Sequence, residues 1–419
     1  MAVEILAGPV VQGDWRAGLH AVAAAGPLAP FSAEAAAFTR ALSLAILRDH
    51  AMQAYPELMA LAHWLRPAHV EEMRRDFECR NQGRVRRARG LAVHFAPANV
   101  DTLFVYSWVV SLLAGNAGVL RLSTRTGPQL DVLLGILGRC LDDETHGAVR
   151  QRLLVVRYPH DDAVSAELSR VCDVRVIWGG DDTVRALRSL PLPPRAVDLA
   201  FGDRLSAAVL SARAILAAAG ADWAAVVDGF ANDAFWFDQQ ACASPRLVVW
   251  TGSQQQAAEA RERFWPAVQA VVAARGWSLL PAQQMARLTA AHAMAAAGGA
   301  ASLEPGTAAG PARLALRRWD ATLGDLHGGN GLFLEMTVPG LGQAFALFDR
   351  KVQTVGVHGF DRGEIEQALG RLPAGAVDRI VPVGEALAFD YVWDGSDLFD
   401  QFTREVAIRV GGCGAASAG

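Results

Sequence analysis

Residues 87–122, RARGLAVHFAPANVDTLFVYSWVVSLLAGNAGVLRL, hold two apolar strand patterns separated by a longer helical one. The first pattern predicts a strand over Arg87–Ala96, and the second predicts an apolar helix over Leu103–Ala114. After a glycine-rich turn, Val119–Leu122 has the apolar composition of another strand. Because a strand followed by a helix and a second strand is a βαβ unit, this stretch predicts two neighbouring parallel strands.

The same alternation continues along the chain. The predicted elements are a helix over Pro128–Leu141, a strand over Leu153–Tyr158, a helix over Asp162–Ser169 and a strand over Val174–Trp178. Strands that alternate with helices favour an open, mostly parallel α/β sheet, whose ligands lie at the carboxyl ends of the strands. Since 419 residues are too many for one ordinary core, we expect two α/β lobes.

Several segments outside this region carry weaker signals. Residues 1–30 have the composition of short strands and turns, and Leu205–Ala219 has the alanine-rich pattern of a helix. Asp203 is expected to cap that helix. Residues 295–312 are rich in alanine, glycine and proline, which is typical of a loop. Leu247–Trp250 predicts a strand of the second lobe.

The composition argues against several classes of protein. The formal net charge is −4 and the positive residues are scattered, so no nucleic-acid partner is expected. The cysteines are far apart and form no CxxC pair, which indicates reduced thiols in a cytoplasm and no metal site. The longest apolar stretch, Thr102–Ala114, is too short to span a bilayer. The N-terminal residues lack a basic region before a long apolar core, so we expect a cytoplasmic protein without a signal peptide.

Cys242 is the strongest candidate for a reactive side chain. It follows two amides, Gln239 and Gln240, and lies among small residues before an apolar strand pattern. Small neighbours leave room for a bulky electrophile, while amides and backbone N–H groups can stabilise a thiolate or an oxyanion. The alternative is a buried, inert cysteine at the start of a strand. Local sequence alone leaves both interpretations open.

Gly179 and Gly180 follow an apolar strand and precede a helical pattern. Such a turn can present a helix N-terminus to a phosphate group, or it can be a turn that only needs the conformational freedom of glycine. The first lobe lacks the GxGxxG sequence of a standard dinucleotide fold, which weakens a generic dehydrogenase assignment.

Three separated stretches together resemble, in their order, the motifs of the aldehyde dehydrogenase superfamily. They are His94–Asp131, then Val176–Val184 with Ala196–Ser206, then Phe237–Arg246. The resemblance implies an aldehyde dehydrogenase-like fold of two α/β lobes, with open, mostly parallel sheets. In that superfamily, a Rossmann-like cofactor domain binds dinucleotide without GxGxxG, which removes the objection above.

Four shorter motifs are similar to the acyl-CoA reductase branch, the LuxC-type family of the fatty-acid reductase of bacterial luminescence. They are QQACASP at 239–245, QTVGVHG at 353–359, GAVDRIVPVGEA at 375–386 and YVWDGSDL at 391–398. The resemblance extends from about Leu91 to about Val406. It implies an oxidoreductase that acts on acyl thioesters.

The resemblance also implies roles for individual residues. Cys242 is the acylated nucleophile, and Asn99 is the amide that stabilises the oxyanion, with the backbone N–H of Cys242 as a second donor. Gln240 orients the loop of the nucleophile. His358 is either a proton donor to the departing thiol or the oxyanion, or a turn histidine that fixes the backbone. Residues 393–395 are interpreted as a structural turn.

The implied cofactor is a nicotinamide dinucleotide. Arg121 falls where the superfamily usually has lysine, and Arg125 follows closely. Because a guanidinium group suits a 2′-phosphate, these arginines favour NADPH over NADH, unless Arg125 is only a solvated loop charge. The expected cofactor-binding residues are Arg121, Ser123, Thr124, Arg125, Gly179, Gly180, Asp182 and Thr183.

One departure from the superfamily points to the reaction. Hydrolytic members carry a glutamate in a Glu-Leu-Gly-Gly stretch that activates water, whereas the corresponding Ala196–Ser206 contains no glutamate. Without that base the acyl-enzyme persists until it is reduced or transferred. We therefore predict NADPH-dependent reduction of an acyl thioester, from acyl-CoA or an acyl-carrier protein, to the aldehyde through acyl-Cys242.

Two other functions are compatible with parts of this pattern. An acyltransferase or thioesterase would use the same acylated cysteine without hydride transfer. A non-catalytic scaffold subunit is the third possibility, but the retention of Asn99, Gly179–Gly180 and Gln240–Cys242 argues against it.

The predicted domain organisation has three parts. Residues 1–228 form N-terminal helices and the dinucleotide-binding domain, and residues 229–387 form the catalytic domain. Residues 388–419 form a C-terminal segment that returns to the cofactor domain or an oligomer interface, and a homo-oligomer is expected.

Overall fold

A computed structural model describes residues 3–9, 13–97, 103–297, 299–320 and 322–409. The chain divides into two compact units: unit 1 is Met1–Gly202 with Ser396–Gly419, and unit 2 is Asp203–Gly395. These boundaries differ from the predicted limits at 228 and 387. Since a functional domain and a compact unit need not coincide, the predicted domain division stays a prediction.

The secondary structure alternates between helices and strands in both units. The strands are β1 (Glu4–Ala7), β2 (Val85–Ala88), β3 (Leu91–Phe95), β4 (Ala117–Leu122), β5 (Leu153–Arg157), β6 (Val174–Trp178), β7 (Val197–Phe201), β8 (Leu205–Ser211), β9 (Pro245–Thr251), β10 (Ala300–Glu304), β11 (Ala312–Leu316), β12 (Leu332–Val338), β13 (Val352–His358), β14 (Arg379–Pro382), β15 (Val392–Trp393), β16 (Ser396–Asp397) and β17 (Thr403–Val406). The helices are α1 (Trp15–Ala24), α2 (Ala33–Arg48), α3 (Pro56–Trp64), α4 (Pro67–Arg80), α5 (Leu103–Leu113), α6 (Pro128–Asp142), α7 (Gly147–Arg150), α8 (Asp162–Val171), α9 (Asp181–Arg188), α10 (Ala212–Ala217), α11 (Gly220–Phe235), α12 (Gln254–Ala274), α13 (Pro281–Ala296), α14 (Thr322–Asp325), α15 (Leu341–Phe345), α16 (Arg362–Leu369) and α17 (Leu398–Phe402). None of the helices in the described residues combines the length and the apolar character needed to cross a membrane.

Unit 1 is built on a six-stranded sheet of order β1-β5-β4-β3-β6-β7. All neighbours are parallel except β1, which is antiparallel to β5. The chain runs from β3 through β4 to β5 on one side and then continues with β6 and β7 on the other. The topological switch point, where open α/β sheets bind ligands, therefore lies between β3 and β6. The predicted open, mostly parallel sheet is confirmed.

The first thirty residues are more regular than the sequence indicated. They contain β1 and also the helix α1, which begins after Asp14. The Asp14 carboxylate caps this helix by accepting the Arg16 N–H at 3.0 Å. The prediction of short strands and turns was wrong for this helix. Its four buried residues are Trp15, Gly18, Leu19 and Val22, and the alanines and glycine of the segment weaken the apolar pattern of a helix.

Unit 2 is built on a seven-stranded sheet of order β10-β11-β12-β9-β8-β13-β14. β10 is an antiparallel edge strand, and the other neighbours are parallel. Separate clusters of buried apolar side chains cover its two faces. This arrangement fits the near-continuous apolar composition of its central strands.

The predicted helix over Leu205–Ala219 was wrong. Leu205–Ser211 is the fully buried strand β8, and only Ala212–Ala217 is helical. Alanine, leucine and serine favour a helix locally. This segment nevertheless pairs with β9 on one side and with β13 on the other, which makes it an interior strand of the sheet. Asp203 therefore precedes a strand and does not cap a helix.

One further segment departs from its prediction. The predicted loop at residues 295–312 contains the edge strand β10, which pairs with β11. Its exposed alanines lack the alternation that marks a half-buried strand. At the other end of the chain, β17 pairs antiparallel with β2 within unit 1.

Candidate active site

The carboxyl edge of the unit 1 sheet carries most of the predicted cofactor-binding residues. β6 ends at Trp178 and is followed by Gly179 and Gly180, while the neighbouring β3 ends at Phe95. These two strands flank the switch point of the sheet. Asn99, the predicted oxyanion donor, lies outside the described residues.

The glycine turn after β6 is packed closely against neighbouring residues. The Gly179 N–H donates to the Phe201 carbonyl at 3.1 Å, and a Cβ atom at Gly179 would lie 3.2 Å from the Thr183 side chain. Gly180 is the N-cap of α9 and provides no side-chain cap for the first backbone N–H groups of that helix. Uncapped N–H groups at a helix N-terminus suit a phosphate oxygen.

Acidic side chains occupy the first turn of the same helix. Asp181 and Asp182 lie there, and Asp182 is exposed and pairs with Arg185. Thr183 is exposed as well. The turn therefore offers backbone donors next to two carboxylates, which already stabilise the positive end of the helix dipole.

Two stacked aromatic side chains lie beside this turn. The rings of Trp178 and Phe201 lie 4.0 Å apart at an interplanar angle of 17°. The Trp178 Nε1–H donates to the Ser107 hydroxyl at 3.1 Å, and that hydroxyl lies 2.7 Å from the His94 Nδ1. Burial lowers the pKa of His94 to about 3, so the ring is neutral and structural. The network fixes the ends of β6 and β7 against β3 and α5.

The basic residues after β4 occupy two different environments. The Arg121 guanidinium packs 5.0 Å over the Tyr158 ring and donates to the Tyr158 carbonyl at 3.3 Å. Its buried Nε has no hydrogen-bond partner among the described residues. Ser123 is half-buried and accepts the Arg125 N–H at 3.3 Å, whereas Thr124 and Arg125 are exposed. Arg121 thus braces β4 against β5, and the exposed turn is the part suited to contact a charged ligand.

Cys242 lies at the amino edge of the unit 2 sheet, in the segment between α11 and β9. Its side chain is half-buried. The Ser206 hydroxyl donates to the Cys242 carbonyl at 2.7 Å and accepts the Thr354 N–H at 3.2 Å. One hydroxyl thus ties the cysteine to the first residues of β8 and β13.

The groups around the Cys242 thiol shift its pKa in opposite directions. Burial, with a smaller contribution from the Asp394 carboxylate, raises the pKa of the Cys242 thiol to about 11. Arg246, a hydrogen bond from the Gln353 side chain and the Ala243 backbone act in the opposite direction. A thiol in this environment is protonated at neutral pH, so attack on an electrophile requires removal of its proton.

Gln239 and Gln240 hold the segment before the cysteine. Gln239 is fully buried, and its Nε2 donates to the carbonyls of Pro245 and Leu332, both at 2.8 Å. Gln240 is exposed and donates to the Gly328 carbonyl at 2.6 Å. Both amides therefore bind backbone around Cys242.

The same segment contains two consecutive residues with positive φ, Asp238 at 51° and Gln239 at 61°. Such residues cost roughly 1–3 kcal/mol each unless the surroundings impose them. The Asp238 carboxylate accepts the Trp277 Nε1–H at 2.7 Å and the Gln283 side chain at 3.0 Å, and its carbonyl accepts the Asn330 N–H at 2.7 Å. These bonds impose the bend that precedes Cys242.

Two residues near Cys242 were not identified as functional from the sequence. Gln353 and Asp394 lie within the motifs QTVGVHG and YVWDGSDL, where the sequence suggested a chemical role only for His358 and a structural turn at 393–395. The Gln353 Nε2 donates to an Asp394 carboxylate oxygen, and both side chains affect the pKa of the thiol. The only available signal was that both motifs match the same family, since Gln353 comes from β13 and Asp394 from the turn between β15 and β16.

Basic and imidazole groups complete the surroundings. Burial lowers the pKa of Arg246, while Cys242 and Asp203 oppose that shift. Burial also lowers the pKa of His327 to about 3, and its ring bridges the Leu332 carbonyl at 2.8 Å and the Gly329 N–H at 3.1 Å. His327 is therefore a neutral structural side chain.

His358 lies at the carboxyl end of β13, at the far end of the strand from Gln353. At about 3.3 Å per residue, the two positions are roughly 16 Å apart. Burial lowers the pKa of His358, whereas Asp222 opposes that shift. Because a proton donor must reach the reacting group, His358 in this position is a poor candidate for that role. Among the described residues, no group of three or more His, Cys, Asp or Glu side chains could hold a metal ion.

The fold is that of the aldehyde dehydrogenases. Aldehyde dehydrogenase 21 from Physcomitrella patens superposes with a TM-score of 0.67 at 12% identity, covering 95% of this chain and 90% of that one. Lactaldehyde dehydrogenase from Escherichia coli superposes with a TM-score of 0.65 at 13% identity, covering 97% and 95%. At this identity the likeness establishes the fold alone.

The family follows from the sequence profile of the acyl-CoA reductases (LuxC), which matches residues 60–295, more than half of the chain. This chain belongs to that family, and the resemblance drawn from the motifs is confirmed.

Curated relatives share part of the chain. The long-chain acyl-protein thioester reductase of Photorhabdus luminescens is 28% identical over 171 residues, which is 40% of this chain and 33% of that protein. The protein of the same description from Aliivibrio fischeri is 26% identical over 166 residues, or 39% and 32%. The chain spans about a third of the length of these relatives.

Proposed function

We propose that this chain reduces an acyl thioester, carried by CoA or an acyl-carrier protein, to the free aldehyde with NADPH as reductant and Cys242 as the acylated nucleophile. The observation that carries the proposal is the setting of Cys242 in an acyl-CoA reductase family member. The cysteine is half-buried and tied through Ser206 to β8 and β13, and the Gln353 amide acts to lower the pKa of its thiol. The curated relatives are named as acyl-protein thioester reductases, which supports a carrier-protein donor.

The first half of the reaction is thioester exchange. The Cys242 sulphur attacks the thioester carbonyl, the C–S bond to CoA or the carrier thiol breaks, and the proton lost from Cys242 leaves with the departing thiol. Exchange of one thioester for another is nearly balanced, so the chain's task is to position the acyl group and stabilise the oxyanion. Asn99 and the Cys242 backbone N–H are the proposed oxyanion donors.

The bound nicotinamide would supply a hydride to the acyl carbon. The residues proposed to hold the cofactor are the turn after β4, with Ser123, Thr124 and Arg125, and the glycine turn after β6, with Gly179 and Gly180. Gly180 leaves the α9 N–H groups without a side-chain cap, and Arg121 retains an unpartnered Nε among the described residues. Both features fit a ligand that carries phosphate groups. Asp182 and Thr183 lie at the same turn.

The second half regenerates the thiol. The tetrahedral adduct on Cys242 collapses as its C–S bond breaks, the aldehyde leaves, and the sulphur takes up a proton. Ala196–Ser206 contains no glutamate that could activate water, so hydrolysis of the acyl-enzyme is slow and reduction is its expected fate.

Intact-mass spectrometry tests the proposal directly. The protein is incubated with a panel of acyl-CoAs and acyl-carrier proteins, and a mass increase equal to the acyl group is expected, which NADPH then removes with release of aldehyde. Cys242→Ala should form no adduct, whereas Cys79→Ala, at an exposed cysteine of unit 1, should behave as the unmodified protein. Release of free CoA without consumption of NADPH would instead identify an acyltransferase or thioesterase.

A further inference from the structure

The amide of Gln353 is held in one orientation by a carboxylate. Gln353 is the second residue of β13 and is only 3% exposed. Its Nε2 donates to an Asp394 carboxylate oxygen, while its Oε1 has no hydrogen-bond partner among the described residues. A buried acceptor without a donor is unfavourable, so another interaction must favour this orientation.

The chemistry of the two groups explains the choice. An ionised carboxylate accepts hydrogen bonds only, whereas a carboxamide has two N–H donors on one side and an acceptor oxygen on the other. Rotation of the Gln353 amide by half a turn would bring its oxygen against the Asp394 carboxylate. Asp394 therefore selects the orientation in which the nitrogen faces inwards and the oxygen stays unpaired.

The nitrogen carries a second hydrogen. The next residue, Thr354, donates its N–H to the Ser206 hydroxyl, which itself donates to the Cys242 carbonyl, so the start of β13 lies beside the cysteine. The Gln353 side chain acts to lower the pKa of the Cys242 thiol, as expected of a hydrogen-bond donor. We propose that Asp394 is a positioning residue that turns the Gln353 carboxamide so that its nitrogen faces Cys242, and that Gln353 is a hydrogen-bond donor to the reactive sulphur.

The local backbone supports a fixed position for Asp394. Its φ of 46° lies in the left-handed region, which asparagine, aspartate and glycine adopt most readily. A Cβ atom at the next residue, Gly395, would lie 2.8 Å from the Asp378 carboxylate, and that carboxylate is paired with Arg204. The turn that carries Asp394 is thus packed against a neighbouring ion pair.

The charged groups around this pair are known within unit 2. Arg246 acts on Cys242 in the same direction as Gln353, and Asp203 acts on Arg246. Arg204 and Asp378 act on Asp394, whose pKa is raised chiefly by burial. Asp394 has two opposing effects on the sulphur: its charge disfavours the thiolate, and its hold on Gln353 favours it.

These two effects can be separated by substitution. Gln353→Met removes the donor and leaves the charge of Asp394 in place. Asp394→Asn removes the charge and also the preference for one amide orientation, because an asparagine amide can face Gln353 with its oxygen or with its nitrogen. Making Gln353→Met in both backgrounds separates the two effects, since the charge at position 394 is constant within each comparison.

The measurement is the rate of iodoacetamide alkylation of Cys242 against pH, followed by peptide mass spectrometry on the full-length protein. In the unmodified protein, Gln353→Met should slow alkylation about tenfold at pH 8, because the thiolate loses a tenfold population for each unit that its titration midpoint rises. In the D394N background the same change should slow the reaction only about twofold, because the amide there has no preferred orientation. Methionine suits the comparison because it keeps the length of the side chain without its donors.

Thermal unfolding of each variant identifies any that do not fold. An equal slowing by Q353M in the two backgrounds would overturn the positioning role of Asp394, and no slowing by Q353M in the unmodified protein would overturn the donor role of Gln353. If the methionine variants do not fold, Gln353→Ala replaces Gln353→Met in both backgrounds. The inference rests on the proposed function only in taking Cys242 as the nucleophile. Because alkylation needs no acyl donor, its result is independent of whether the chain forms an acyl-enzyme.

Discussion

The hydroxyl of Ser206 donates a 2.7 Å hydrogen bond to the carbonyl oxygen of Cys242. The hydroxyl oxygen of Ser206 in turn accepts the Thr354 N–H of the adjacent strand at 3.2 Å. Ser206 is itself 1% exposed, so water cannot replace either bond. Cys242 is therefore anchored through its backbone to the adjacent strands β8 and β13 of unit 2, while its side chain remains half-buried.

Replacement of Ser206 by alanine should loosen this anchor. The change leaves the Cys242 carbonyl and the Thr354 N–H unpaired, and we expect a loss of roughly 1–3 kcal/mol in the free energy of unfolding. Acylation of Cys242 should slow as well, because its backbone is one of the groups held by the bond. Urea unfolding and intact-mass time courses measure the two effects. Ser189→Ala, at an exposed serine, serves as the control, and equal behaviour of the two variants would contradict the prediction.

Glu335 should be among the residues on which unit 2 depends most. It is 3% exposed, and one of its oxygens accepts the Nε1–H groups of Trp250 at 2.7 Å and Trp265 at 2.9 Å. Arg261 donates to the same oxygen at 3.2 Å. Glu335→Leu leaves these donors without a partner, and roughly 3–5 kcal/mol of stability should be lost. Glu304→Gln, at an exposed carboxylate, should change the urea midpoint little, and a similar small change for Glu335→Leu would refute the assignment.

Asp233 gives unit 2 a pH dependence of stability. It is buried on α11, and its carboxylate accepts the N–H groups of Gly384 at 2.7 Å and Ala386 at 3.0 Å. Burial raises its pKa to about 7 from an ordinary value of 3.8. The folded protein therefore binds a proton that the unfolded chain has released between about pH 4 and pH 7, and stability falls as pH rises through that window.

The comparison with a neutral side chain isolates this effect. The free energy of unfolding of Asp233→Asn, relative to the unmodified protein, should increase between pH 5 and pH 7 and level off above pH 8. Ala225→Ser, at an exposed position of the same helix that carries no titratable group, should give a difference that is independent of pH. Urea unfolding across the pH range checks both variants. A constant difference for Asp233→Asn would show that the carboxyl does not titrate in this window.

Arg125 should set the preference between the two nicotinamide dinucleotides under the proposed function. Its side chain is exposed in the turn after β4. If the guanidinium pairs with a 2′-phosphate, Arg125→Ala should raise the KM for NADPH about tenfold with little change for NADH. Initial rates with both cofactors measure the ratio. Arg139→Ala, which removes another exposed charge from unit 1, should leave that ratio unchanged, whereas an equal rise in both KM values for Arg125→Ala would indicate a non-specific effect.

The sequence was most informative where a pattern is local. The strand Val174–Trp178 was predicted with its observed bounds, and the glycine turn after it follows from the residues themselves. β8 was mistaken for a helix because its place between β9 and β13 depends on partners far along the chain.

Some residues of the candidate site can be predicted from local sequence, and others cannot. Cys242 could be singled out from its small neighbours and its motif. Ser206, Gln353 and Asp394 could not, because they come from distant parts of the chain: Ser206 and Gln353 from the paired strands β8 and β13, and Asp394 from the turn between β15 and β16. No pattern within any one of these segments predicts that its residues will lie near Cys242.

The pairing of β17 with β2 has a consequence for how the chain is made. Arg86 and Thr403, which hydrogen-bond at 3.0 Å, are 317 residues apart in sequence. All of unit 2 is synthesised between them, so a ribosome must deliver the second unit before the first can be completed. Until then β2 offers an unpaired edge to other nascent chains. Unit 1 is therefore complete only when β17 has emerged from the ribosome and paired with β2, and not when its six-stranded sheet has folded.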